Sequence, residues 1–178
     1  MKTAICPGSF DPVTYGHLDI FRRASRLFDE IIVLVMVNID KNPSFSAEER
    51  IEMIREVTTD IPNIRVESYD GLLIDYVKQV GAIAIVKGLR AVSDFEYEFQ
   101  MALTNKTLYH GAETVFLTTS VYNMYVSSSL VKTIGRFGGD IHRLVPEVLQ
   151  ERILARLQGK TSKDDKMKST DKEENADK

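Results

Sequence analysis

Pro7-Gly8-Ser9-Phe10-Asp11-Pro12-Val13-Thr14-Tyr15-Gly16-His17 lies between two different hydrophobic periods. Ahead of it, Lys2-Thr3-Ala4-Ile5-Cys6 is a short apolar run that reads as a strand, of the kind buried on both faces of a parallel sheet. Behind it, Leu18, Phe21, Leu27 and Phe28 form an apolar stripe with arginines opposite, which predicts a helix over 17–28. The stretch is therefore a strand-to-helix connection. It holds two prolines, two glycines, the hydroxyls of Ser9, Thr14 and Tyr15, and His17. A connection that only turns needs few hydrogen-bonding side chains. A helix start presents free N–H groups and a positive dipole end, so it attracts phosphate.

The same alternation continues along the chain. Ile31-Ile32-Val33-Leu34-Val35-Met36-Val37 is continuous and β-branched, which predicts a central strand buried on two sides. Ser46-Ala47-Glu48-Glu49 reads as a capping box opening a helix that ends near Thr59. Ile64–Ser68 reads as a strand, Leu72–Val80 as a helix and Ala82–Val86 as a further buried strand. Lys87-Gly88-Leu89-Arg90 follows, then a long helix to about Leu108 capped by Ser93 or Asp94. Thr114–Thr118 is the last strand. A polar loop, Thr119 to Val126, leads into Ser127-Ser128-Ser129 and a helix broken at Gly138-Gly139. Pro146 opens the final helix. Strands alternating with helices predict an α/β fold: a Rossmann-like, doubly wound, five-stranded parallel sheet with helices on both faces. The expected organisation is a single domain over 1–158, closed by a C-terminal helix, and a charged tail over 159–178. That tail has Met167 as its only large apolar residue and is expected to be disordered.

Composition narrows the function classes. The chain has 178 residues, is 43% hydrophobic and carries a net charge of −3. This argues against a broad basic surface for nucleic acid. One cysteine, Cys6, excludes an internal disulfide and reads as a core residue. No apolar run approaches a membrane span. No signal peptide is evident, and a cytoplasmic setting is the expectation.

Ligands of open α/β sheets bind beyond the carboxyl ends of the strands. Ser9 and His17 follow the first strand, and Lys41 the second. Lys87 and Arg90 follow the fourth, and Ser127, Ser128 and Ser129 the fifth. Four strand ends thus converge on basic and hydroxyl groups, which is a phosphate site. The first loop is neither G-x-G-x-x-G nor G-x-x-x-x-G-K-[ST], against a dinucleotide dehydrogenase or a P-loop kinase. Thr14-Tyr15-Gly16-His17 is the T-x-G-H form of the nucleotidyltransferase signature.

From here the chain resembles the bacterial phosphopantetheine adenylyltransferases. The matching residues are Pro7–Pro12 with Gly16-His17, then Lys41, Gly88-Leu89-Arg90, Asp94-Phe95-Glu96-Tyr97-Glu98, and Ser127-Ser128-Ser129-Leu130-Val131-Lys132, over about residues 2–158. The resemblance implies transfer of AMP from ATP to 4′-phosphopantetheine, giving dephospho-coenzyme A and pyrophosphate, the penultimate step of coenzyme A synthesis. It implies direct in-line attack without a covalent intermediate, and catalysis by positioning and charge stabilisation. It assigns His17, Lys41, Ser9 and Arg90 to catalysis. ATP falls to Ser9, Phe10, His17, Gly88, Leu89, Arg90, Glu98, Asn123, Met124, Tyr125, Val126, Ser127, Ser128 and Ser129. Phosphopantetheine falls to Ser9, Lys41, Leu73 and Lys87. Mg²⁺ is implied with ATP, without a dedicated protein metal site. A homohexamer and feedback inhibition by coenzyme A are implied as well. The family usually has arginine where this chain has Lys87. Lysine keeps the charge but lacks the bidentate fork.

Other readings remain at this stage. The chain could adenylate nicotinate mononucleotide or use CTP, against which the G-L-R and D-F-E-Y-E sets argue. It could be a silent nucleotide or coenzyme A sensor, against which intact His17, Lys41, Arg90 and Ser129 argue. His17 alone could be a helix cap, and the three serines an N-cap. Phe95, Tyr97 and Phe99 read as packing residues, at a subunit contact or in the core. His110 and His142 have no partner at a useful spacing.

Overall fold

A computed structural model describes residues 1–37 and 42–159. Five strands, β1 (Thr3–Gly8), β2 (Glu30–Met36), β3 (Ile64–Tyr69), β4 (Ala84–Leu89) and β5 (Glu113–Thr118), form one sheet in the order β3-β2-β1-β4-β5. All four neighbouring pairs are parallel. The chain winds outward from β1 through β2 to β3, then returns to the other side of β1 for β4 and β5. The direction of winding therefore reverses between β1 and β4, and a crevice opens at their carboxyl ends. Ile31 to Val35 are completely buried, as a strand covered on both faces requires. The centre of the sheet, however, is the shorter β1.

Helices α1 (Tyr15–Ala24), α2 (Ala47–Val57), α3 (Leu73–Val80), α4 (Val92–Leu108), α5 (Ser128–Arg136) and α6 (Glu147–Leu157) complete the domain. Side-chain alternation divides the core in two. Ala4, Cys6, Val33, Val35, Ala84 and Val86 face a cluster built with α1, α2, α5 and α6. Ile5, Ile32, Leu34 and Ile85 face a smaller cluster built with α3. Phe95 of α4 meets Phe116 of β5 edge-on at 5.8 Å. No helix of the described residues is long and apolar enough to cross a membrane.

Ser46 caps α2 as a reciprocal box: its hydroxyl accepts the Glu49 N–H at 3.2 Å, and Glu49 accepts the Ser46 N–H at 2.7 Å. Other boundaries move. Helix α1 starts two residues before His17, because Thr14 is its cap, and ends at Ala24. Leu27 therefore lies outside the helix, exposed, and Ile20 and Ala24 take up the buried stripe. Strand β4 includes Lys87, Gly88 and Leu89, so only Arg90 follows it. Neither expected residue caps α4. The N-cap is Ala91, without a side-chain bond, and the Asp94 carboxylate turns back to Arg90 instead. His142 does have a partner, Asp140, two residues away at the surface. Residues 160–178 lie outside the described residues, as does Lys41.

Candidate active site

The switch between β1 and β4 forms a cavity of about 620 Å³. Its walls come from five places in the chain. The end of β1 and its loop supply Cys6 to Phe10, and the start of α1 supplies Thr14, Gly16 and His17. The end of β4 supplies Val86, Lys87, Gly88 and Arg90, and α4 adds Asp94, Tyr97 and Glu98. Thr119 and Val126 to Ser129 close the far side. A second hollow lies at the opposite edge, near Met1, Arg55 and Arg65, away from the strand carboxyl ends and from any helix start.

His17 is held by the residue that caps its own helix. The Thr14 hydroxyl accepts the His17 N–H at 3.4 Å, and the Thr14 N–H donates to His17 Nδ1 at 3.1 Å. A ring nitrogen that accepts carries no proton, so the neutral imidazole keeps its hydrogen on Nε2. Phe10 meets the imidazole edge-on at 5.0 Å and Phe21 lies parallel at 6.5 Å. Burial, and after it the positive charge of Arg90, pushes His17 down to about 4 from 6.5. The ring is a neutral donor near pH 7.

Phe10 has a left-handed backbone, φ 49°, costly for a residue with a Cβ. Its ring occupies the space beside Gly8, where an added Cβ would stand 2.7 Å from Phe10 Cζ. Arg50 braces the same loop from α2. It is buried and donates to the Ser9 carbonyl at 2.7 Å and to the Ser46 carbonyl at 3.1 Å.

Both cations at the β4 end carry a carboxylate from α4. Arg90 meets Asp94 through Nε at 3.0 Å and Nη2 at 3.2 Å, and donates to the Val126 carbonyl at 3.3 Å. Lys87 Nζ lies 3.2 Å from Glu98 Oε2. Their alignment is too poor for a hydrogen bond, which leaves that buried oxygen without a donor. At α5, the Ser127 hydroxyl accepts the Leu130 N–H at 3.1 Å and is used up as the cap. The Ser128 hydroxyl donates to the Pro12 carbonyl at 2.8 Å. The first-turn N–H groups of Ser128 and Ser129 have no intrahelical acceptor and remain for a ligand.

The cavity thus gathers Ser9, Phe10, His17, Lys87, Gly88, Arg90, Glu98, Val126, Ser127, Ser128 and Ser129. Leu73, Leu89, Asn123, Met124 and Tyr125 do not line it. Leu73 packs against the α3 core cluster. Leu89 ends β4 in register with Thr118. Met124 and Tyr125 stand exposed beside a short 3₁₀ turn, Val121–Asn123. Sequence reasoning missed Asp94 and Tyr97 as cavity residues. Their signal is the spacing 94, 97 and 98, which is one face of α4. Tyr97 is not a core residue: it is 65% exposed and borders the cavity.

Among the described residues, no three His, Cys, Asp or Glu side chains cluster as a metal site. Cys6 lines the cavity floor, but burial pushes its thiol up to about 12, so it is not a thiolate nucleophile.

Residues 5–134 match the family model described as cytidylyltransferase-like. Two solved structures share the fold at 16% identity. One is a putative nicotinate-nucleotide adenylyltransferase from Vibrio parahaemolyticus, with a TM-score of 0.63 over 86% of this chain and 99% of that one. The other is the nicotinic acid mononucleotide adenylyltransferase of Plasmodium falciparum complexed with NaAD, with a TM-score of 0.64 over 86% and 95%. Curated relatives are far more similar in sequence. The phosphopantetheine adenylyltransferase of Caldanaerobacter subterraneus subsp. tengcongensis is 57% identical over 88% of this chain and 98% of its own length. That of Dictyoglomus turgidum is 52% identical over 90% of this chain and 100% of its own. With the sheet, the cavity and the sequence in agreement along almost the whole domain, this chain is a nucleotidyltransferase and belongs to the phosphopantetheine adenylyltransferase family.

Proposed function

We propose that the chain transfers AMP from ATP to 4′-phosphopantetheine, releasing pyrophosphate and forming dephospho-coenzyme A, by direct in-line attack. The observation that carries this reading is His17, held by Thr14 and kept neutral with Nε2 as its remaining donor, in a cavity that also takes in the start of α5. The attacking phosphate is already an anion, so it needs no general base. It needs orientation and donors placed where charge grows. His17 donates to the α-phosphate as the pentavalent state forms. Ser9 stands between the two anionic substrates. Ser128 and Ser129 receive the β- and γ-phosphates through the start of α5. Arg90 and Lys87 offset the repulsion between substrates, exchanging part of their contact with Asp94 and Glu98 for phosphate oxygens. Lys41 holds the acceptor phosphate. Leu73 is assigned to the pantetheine arm.

Mg²⁺ fits this site only as the counterion that ATP brings. The cavity carboxylates Asp94 and Glu98 each face a cation, and they form no cluster. Bound to the triphosphate, it supplies charge neutralisation on the leaving pyrophosphate. Coenzyme A carries both a pantetheine arm and a nucleotide, so it competes for the same cavity. Self-association, proposed as a homohexamer, is supported by α4, where Val92, Leu103 and Leu108 stand exposed and Phe99, stacked on Phe95, is also open to solvent. A cytoplasmic setting is part of the same proposal.

The test is pyrophosphate release from ATP and Mg²⁺ with 4′-phosphopantetheine in one arm and nicotinate mononucleotide in another. Release only with the first is expected. Release only with the second would overturn the substrate assignment.

A further inference from the structure

Asp11 is 5% exposed and sits in the middle of the first loop. Its Oδ1 accepts the Phe45 N–H at 3.0 Å, and its Oδ2 accepts the Ser44 N–H at 3.0 Å. The same Oδ2 lies 2.8 Å from Lys132 Nζ on α5. Lys132 is itself three-quarters buried at its side chain. One carboxylate therefore joins three segments that are remote in sequence: the loop carrying Ser9 and His17, the approach to α2, and the helix whose start carries Ser128 and Ser129. Two further bonds run parallel to it, from Ser128 to the Pro12 carbonyl and from Arg50 to the Ser9 carbonyl. The loop so held contains the left-handed Phe10, a conformation that persists only where the surroundings enforce it. Neither Asp11 nor Lys132 lines the cavity.

We propose that the buried Asp11–Lys132 pair is a positioning strut, which sets the spacing between the His17 loop and the α5 phosphate site without touching substrate. This rests on the adenylyl-transfer reading above for its kinetic consequence, but not for its structural one. Lys132 acts through Asp11, so losing either partner does the same damage, and losing both adds little. A displacement of about an ångström at a reacting centre costs on the order of 100-fold in rate. Substrate affinity, which depends on contacts the strut does not make, changes little.

The experiment is a double-mutant cycle on the full chain with Lys132→Met, Asp11→Asn and the double variant, plus Lys132→Arg as rescue. Wild-type turnover with ATP, Mg²⁺ and 4′-phosphopantetheine is measured first, and its absence would refute the proposed reaction rather than the strut. Each single variant should lower kcat by about 10- to 100-fold, with KM for ATP within about 3-fold. The double variant should be no worse than the weaker single, and Lys132→Arg should recover most of kcat. Losses that multiply, or a loss carried by KM alone, would overturn the proposal and make Lys132 a separate phosphate ligand. Amide hydrogen exchange reads the strut without activity. Lys132→Met should lower protection in segments 8–14 and 44–46, and Lys132→Arg should restore it. Unchanged protection there refutes the strut, whatever the turnover.

Discussion

The depressed His17 ties folding stability to pH in a window that can be calculated. Its pKa is about 4 in the folded chain and 6.5 as a free side chain. The native state keeps the ring neutral while the unfolded chain takes up a proton, so stability is full above the unfolded value and falls as pH drops through the window. At about 1.4 kcal/mol per pKa unit, the whole shift is worth about 3 kcal/mol. Between pH 7 and pH 5 the linkage relation gives a loss of about 2 kcal/mol. Solvent reaching the ring through the cavity mouth trims that figure. The variant His17→Gln retains an amide that can accept from Thr14 and does not titrate. Urea unfolding of wild type and variant, at one protein concentration and at several pH values, isolates the effect of the ring. The wild type should lose about 2 kcal/mol more than the variant between pH 7 and pH 5. Parallel losses would mean that His17 protonates as easily folded as unfolded. They would remove the argument that the ring is a neutral donor.

Three further outcomes are expected. His17→Ala should lower kcat and kcat/KM for ATP by the same factor, because the lost bond forms only in the transition state, and steady-state kinetics separate this from a rise in KM alone. Ser46→Ala should cost about 1 kcal/mol by removing the α2 cap while Glu49 stays in place, read as a small drop in Tm by calorimetry. Leu103→Asp places a charge on the exposed face of α4, and sedimentation should show the proposed self-association weakened with the monomer still folded. An unchanged sedimentation profile would remove α4 from the interface.

The local pattern carried most of the elements, for reasons visible in particular residues. The run 31–37 could only be a two-sided strand, since all of its residues are apolar and most are β-branched. Ser46 and Glu49 form the capping box that their spacing announces. Boundaries were missed where a short polar contact outranked periodicity. Thr14 starts α1 ahead of His17, and Asp94 serves Arg90 rather than capping α4. The apolar stripe of α1 shifted because the helix stops at Ala24, which leaves Leu27 outside. Hydrophobic spacing sets which face is buried but does not mark where the last hydrogen bond falls.

The sequence by itself determined the alternation of strands and helices, the buried character of β2, and the chemical types present at the strand ends: hydroxyls, cations and one histidine beside a helix start. These are properties of neighbours in the chain. Only the tertiary structure decided that β1, not β2, is the centre of the sheet, and that winding reverses at β1 and β4. It alone paired Lys87 with Glu98, and it alone brought Asp11 to Lys132, 121 residues away. The physical reason is that such pairs are chosen by strand order and by the burial of charge, and neither leaves a period in the sequence.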